Sequence, residues 1–217
     1  MAGKWTEEKL AAERERLARM REYEDTYAAV SLICGVDEAG RGPLAGPVVA
    51  GAVILPRDCE ILRLNDSKKL SEKRREELFL EIRDKAVAWS VGIASPEEID
   101  RINILQATYQ AMREAIASLK EEPGLLLNDA VTIPGVGIPQ IPIVKGDAKS
   151  VSIAAASIMA KVTRDHMMTA YDRIYPEYGF AKHKGYGTAA HIAALREYGP
   201  CPIHRRSFIT KFVENDE

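Results

Sequence analysis

The stretch Leu32-Ile33-Cys34-Gly35-Val36-Asp37-Glu38-Ala39-Gly40-Arg41-Gly42-Pro43-Leu44-Ala45-Gly46-Pro47-Val48-Val49-Ala50-Gly51-Ala52-Val53-Ile54-Leu55 decides the fold class. It opens with a short apolar run that ends in two acids, Asp37 and Glu38. It closes with a β-branched run bounded by Pro47 and Pro56. Each run has the length of a buried strand, and the glycine-rich residues 40–46 between them read as the long turn of a hairpin. The turn also approximates G-x-G-x-x-G/A, the dinucleotide-binding fingerprint. That motif requires a helix to follow, whose N-terminus holds the pyrophosphate, and here a strand follows. A dinucleotide-dependent oxidoreductase is therefore a remote alternative. A turn without side chains still lets backbone amides approach a ribose or phosphate closely, and Arg41 adds a cation beside it.

Working outward, residues 87–94, 125–129 and 141–145 supply three further strands. Pro142 cannot donate to a ladder, so the last of these belongs at a sheet edge. Helices are expected at 71–85 behind Ser71, at 103–120, at 149–173 and at 189–198. Ala154-Ala155-Ala156 keeps the long helix thin for close packing on a sheet. A basic tail follows the last helix. Upstream, residues 4–30 carry six Lys or Arg and seven Asp or Glu. Leu10, Leu17, Met20, Tyr23 and Tyr27 share one helical stripe there, which suits packing on the domain or on a partner. The fold class is α/β: a mixed five-stranded sheet flanked by helices, with an N-terminal helix and a helical C-terminal segment. The expected division is a helical extension (1–30), a catalytic domain (31–180) and a basic, helical substrate-binding segment (181–217).

Composition narrows the function classes. A chain of 217 residues with 46% hydrophobic and 29% charged residues builds a core without staples. The longest apolar stretch, residues 47–55, is too short for a membrane span, and the start leads into a charged helix instead of an apolar leader. No membrane association is expected. Three scattered cysteines argue for a reducing, cytoplasmic setting. The net charge is −2, so nucleic-acid binding would need a local patch.

Such patches exist. Asp66-Ser67-Lys68-Lys69-Leu70 places lysines and a hydroxyl before a helix, a phosphate-suited arrangement. Between Lys145 and His191, seven Lys or Arg face four acids, and Lys161, Arg164 and Lys184 count among the cations. Tyr186 sits between glycines in that basic loop, either stacked on a sugar or base or held in the core. The four histidines lack metal-ligand spacing and read as structural or solvent-facing. Four acids end predicted strands: Asp37, Glu38, Asp129 and Asp147. Acids gathered at one sheet rim repel unless a cation joins them, and nucleases use a pair of hard divalent ions in this way. Neighbours on a regular strand point to opposite faces, so Asp37 and Glu38 share one cluster only if the strand ends or twists there.

Taken together, these blocks resemble the type 2 ribonucleases H, the bacterial ribonuclease HII family. Residues 35–46 are similar to its opening motif, and Asp66-Ser67-Lys68-Lys69-Leu70 to its second block. Lys145-Gly146-Asp147 with residues 152–165 resembles the third. Tyr178-Gly179-Phe180 with His183-Lys184-Gly185-Tyr186, and His204-Arg205-Arg206-Ser207-Phe208, resemble the last two. The resemblance implies a ribonuclease H-like fold and a monomer. It implies an endonuclease that cuts the RNA strand of RNA–DNA hybrids and incises 5′ of single ribonucleotides in duplex DNA, as in ribonucleotide excision repair.

By position, Asp37, Glu38, Asp129 and Asp147 fall on the family's metal-binding acids. Gly40, Arg41 and Gly42 fall on the segment that senses the ribose 2′-hydroxyl, and Tyr186 on the tyrosine that packs at the RNA–DNA junction. Ser67, Lys68 and Lys184 are the expected phosphate contacts. Asn128 departs from the family, which has an apolar residue before the third acid. The expected chemistry is hydrolysis with two Mg²⁺ or Mn²⁺ ions, Asp37 shared between them, leaving 3′-hydroxyl and 5′-phosphate ends. A non-catalytic nucleic-acid-binding module on the same scaffold remains the alternative.

Overall fold

The computed structural model describes residues 5–213. Strands β1 (Ile33–Ala39), β2 (Val48–Ile54), β3 (Ala88–Ala94), β4 (Leu125–Asp129) and β5 (Gln140–Ile143) form one sheet in the order β3-β2-β1-β4-β5. The β1–β2 and β2–β3 pairs are antiparallel, and β1–β4 and β4–β5 are parallel. β5, with Pro142, lies at the edge.

Two helices cover the sheet closely because glycines leave room for them. α6 (Val151–Ile174) crosses β1 and β2. A Cβ on Gly35 would lie 2.0 Å from the Ser152 carbonyl carbon, and one on Gly51 2.4 Å from the Ala156 oxygen. α5 (Ile104–Ala117), capped by the Asn103 side chain, lies on the other face against Cys34, Val36, Ala50 and Ala52. α3 (Glu72–Lys85) has Ser71 as its N-cap and adds Leu78 and Ile82 to the α6 side.

The N-terminal stripe packs on the domain in two pieces, α1 (Glu7–Met20) and α2 (Glu22–Thr26), which break at Arg21. Leu17 and Met20 join Ile61 and Leu64, while Tyr23 and Tyr27 lie against Leu125, Leu127 and Ile153. Between them Glu24 Oε1 accepts from Ser150 Oγ (2.5 Å) and from the Ser152 amide (3.0 Å). The extension thus supplies an anion to the positive end of α6.

Three helices go beyond the sequence reading, the four-residue one at Phe180–His183 among them. α4 (Pro96–Ile102) starts with a Ser95/Glu98 capping box and a proline in its first turn. The basic tail contains α9 (Arg206–Val213). Asp100 holds its start, accepting from the Arg206 and Ser207 amides at 2.7 and 2.9 Å, and Ile209 packs with Leu44 and Leu195. Two short helices, α7 (Phe180–His183) and α8 (Ala189–Tyr198), complete the C-terminal piece. No described helix is long and apolar enough to cross a membrane.

Candidate active site

The register of the three central strands brings the acids together. β1 runs beside β4 only as far as Val36↔Asn128, so Asp37 and Asp129 stand side by side at the rim. Asp147 arrives on the turn between β5 and α6. That turn is tied back by the Gly146 amide, which donates to Asp129 Oδ1 at 2.7 Å. One carboxylate oxygen from each of Asp37, Asp129 and Asp147 lies within 4.8 Å of the others. Glu38 is not in that group. It pairs with Ala50 in the regular β1–β2 ladder and lies 3.6 Å from Arg41, and its charge still acts on Asp37.

The electrostatics of the cluster are those of a site built for a cation. Asp37 is 3% exposed. Its Oδ1 accepts from the Glu38 amide at 2.7 Å, whereas its buried Oδ2 has no protein partner. Burial, then Glu38 and Asp129, push its carboxyl well above the ordinary range. Asp147 is also raised, by burial and by the charges of Asp66 and Asp129. Burial raises Glu38 despite Arg41. An orphaned buried oxygen among mutually repelling carboxylates fits hard divalent ions with oxygen ligands.

Lys68 is exposed, and its Nζ lies 3.9 Å from Asp147 Oδ2. Burial lowers its pKa, but Asp37, Asp147 and neighbouring acids outweigh that and raise it. Ser67 behaves differently from the expected phosphate contact: it is buried, and its hydroxyl bonds Ser157 Oγ at 2.8 Å. Ser157 in turn faces Asp37 and favours its ionised form, against the larger effect of burial. Lys184 is mostly covered, donating to Thr169 Oγ1 (3.1 Å) with Glu72 at 3.7 Å. Asn128 is fully buried and donates to Gln140 Oε1 (2.8 Å), which also accepts from the Ile133 amide. A polar pair thus stands where an apolar contact was expected.

The glycine turn is held by two residues that sequence reasoning placed elsewhere or gave no role. Arg164 is 1% exposed and donates to the carbonyls of Ala45, Pro47 and Lys184 at 2.9–3.0 Å. It is therefore not part of a surface patch, and neither is Lys161, which bonds Asp165 at 2.7 Å. Arg205 is fully buried and donates to Gly40, Arg41 and Gly46 carbonyls at 2.6–2.9 Å. No described carboxylate lies within salt-bridge distance of either guanidinium. Gly40 has φ +99°, and a Cβ there would sit 2.1 Å from Arg164 Nε.

The turn's outer surface, Arg41 and Gly42, is exposed, and a Cβ on Gly42 would meet Tyr186 Cε1 at 3.9 Å. Tyr186 is 47% exposed, so the aromatic is presented to solvent and not held in the core. Exposed Lys68, Lys69, Lys145 and Lys149 carry the positive charge near the acids.

A family model described as Ribonuclease HII matches residues 34–211. The chain belongs to the ribonuclease HII family. The chain is similar to the ribonuclease HII of Lachnoclostridium phytofermentans, with 65% identity over 93% of this chain and 80% of that protein. That of Clostridioides difficile is 60% identical over 83% of this chain and 71% of the other. Among solved structures, the ribonuclease H2 from Pyrococcus horikoshii superposes with a TM-score of 0.68 at 30% identity, covering 85% of this chain and all of that one. The chain is therefore a ribonuclease H hydrolase, an endoribonuclease of RNA–DNA hybrids, and the family match leaves out α1 and α2.

Proposed function

We propose that this ribonuclease HII also incises 5′ of a single ribonucleotide embedded in duplex DNA, and that it works with two Mg²⁺ or Mn²⁺ ions. The observation that carries the metal reading is the convergence of Asp37, Asp129 and Asp147 around an unpartnered buried oxygen. These three residues would hold the ions, with Asp37 shared and Glu38 contributing from the neighbouring pleat. When bound, divalent ions supply Lewis acidity to a phosphodiester and to water. Water adds to phosphorus, the P–O3′ bond breaks, and the ends are a 3′-hydroxyl and a 5′-phosphate.

The chain's own residues do the rest. The backbone of Gly40-Arg41-Gly42 meets the ribose, whose 2′-hydroxyl distinguishes RNA from DNA. Tyr186, beside Gly42, packs on the sugar at the junction. Lys68 takes a phosphate near Asp147. Ser67 supports Asp37 through Ser157, and residues 181–217 carry the duplex-facing loop.

Incubating a duplex with one ribonucleotide, with and without Mg²⁺ or Mn²⁺, tests this reading. One divalent-dependent cut 5′ of the ribonucleotide is expected. Binding without cutting would favour the non-catalytic module. Tyr186→Ala is expected to lower the rate on the single-ribonucleotide duplex more than on a continuous hybrid; equal losses would remove the tyrosine from junction reading.

A further inference from the structure

We propose that His204 and His191 form a one-way hydrogen-bond relay that positions Tyr186, so that two buried histidines set how the enzyme reads an RNA–DNA junction. The enzymatic half of this statement rests on the reading of Tyr186 given above. The relay itself rests on geometry alone.

The direction of every bond is dictated from both ends. The Cys201 amide donates to His204 Nδ1 at 3.0 Å, so that nitrogen is an acceptor. A neutral His204 then carries its proton on Nε2. This nitrogen meets His191 Nε2 at 3.1 Å, which must accept. His191 therefore carries its proton on Nδ1, 2.9 Å from the Tyr186 carbonyl oxygen, which can only accept. One pair of neutral tautomers satisfies the whole chain, and no other does. Protonating His191 would set two donors face to face at the Nε2–Nε2 contact, and protonating His204 would set two donors face to face at Nδ1, against the Cys201 amide.

A third imidazole serves the preceding residue. His183 Nδ1 accepts from the Gly185 amide at 3.2 Å, and its Nε2 meets the Tyr178 carbonyl at 2.8 Å. Its ring stacks on His191 with centroids 4.5 Å apart. Phe180 walls the group, edge-on to His191 at 5.4 Å. Main-chain atoms of Gly185 and Tyr186 are thus each bonded by an imidazole.

The loop needs such support. Lys184 and Gly185 both have positive φ, 52° and 84°, and the Tyr186 side chain beyond them is exposed. An aromatic that must meet a sugar in one pose is useful only if its backbone is fixed. His191 and His204 touch neither the acids nor the solvent face, so they are positioning residues.

The tautomers can be read in the unaltered full-length protein by nitrogen-15 NMR of its histidines near neutral pH. The expected result is His191 protonated on Nδ1 and His204 on Nε2. The reverse tautomers, or a charged ring in either, would overturn the relay.

The functional arm uses His191→Leu, which lacks the donor, and His191→Asn, whose amide replaces it. His191→Leu should lower the single-ribonucleotide-to-hybrid rate ratio by about five- to tenfold, the net worth of roughly one hydrogen bond. His191→Asn should restore part of it. In a Tyr186→Ala background the same substitution should change the ratio no further, and a full additional loss would overturn the positioning role. If Tyr186→Ala alone leaves the ratio unchanged, the junction reading fails. The relay is then judged by the tautomers and by the Tyr186 ring resonances, which must shift in His204→Leu and whose constancy would refute it.

Discussion

Asp37 has one carboxylate oxygen satisfied by the next amide in the chain and the other buried with nothing to bond. In the metal-free protein this arrangement costs stability, because burial and the neighbouring acids disfavour the ionised form. Asp37→Asn is therefore expected to abolish cleavage and yet raise the metal-free thermal midpoint by about 2–6 °C. Differential scanning fluorimetry with and without Mg²⁺ checks both halves. Wild type should gain more from the ion than the variant does, and a variant that melts lower without metal would contradict the account. At this scale the acids were legible because they stand at or just beyond the ends of apolar runs. The burial of Ser67 and Arg164 was not. A hydroxyl or guanidinium in a basic block looks the same on paper whether it faces phosphate or a carbonyl, and only the arrival of α6 and the C-terminal piece decides.

α6 joins the site to the rest of the chain. Its first turn follows Asp147, its middle places Ser157 beside Asp37, and its later turns supply Arg164 to the glycine turn. Its N-terminus is held by Glu24 from a segment outside the family match. Glu24→Ala should destabilise the protein by about 1–2 kcal/mol, the range for a lost cap. Glu24→Gln should cost less, because one acceptor remains. Urea unfolding of the two variants measures the difference, and equal midpoints with wild type would remove the cap's importance. The strands and the long helices were legible from periodicity, and Pro142 placed β5 at the edge. α4 is signalled by Ser95-Pro96-Glu97-Glu98, a capping signature. α9 was hidden by its basic residues, since its start depends on Asp100, far away in sequence. That Glu38 stands outside the tight group of acids was not legible, since it shares its strand with Asp37 and its charge still acts there.

For the molecule as a whole, opposing titrations set the pH response. Burial, with His191, His183 and Arg206 adjoining, lowers His204 from 6.5 to about 4, and His191 is lowered as well; Cys201 lies against the same ring. Between those values the unfolded chain binds the extra proton, so this contribution to stability is present above pH 6.5 and is lost as pH falls toward 4. The raised carboxyls of Asp37, Glu38 and Asp147 act with the opposite sign. The histidine share is isolated by comparing wild type with His204→Phe across this range. The variant's unfolding free energy should fall less steeply on acidification, and parallel curves would show that His204 carries no linkage.

Duplex affinity should decline linearly in log–log plots against salt, since exposed lysines release counterions from phosphate. Titrations at several salt concentrations check the slope. Beneath that screened surface lie Arg164 and Arg205. Burial lowers both, Arg205 to about 9, which leaves it cationic at neutral pH, and the acceptors of both are all main-chain oxygens. Asp165 acts on Arg164 and Asp100 on Arg205 only from beyond salt-bridge distance. The floor under residues 40–47 therefore carries positive charge that salt screens less than it screens the exposed lysines, so a polyanion laid there retains part of its attraction after the lysines have been masked.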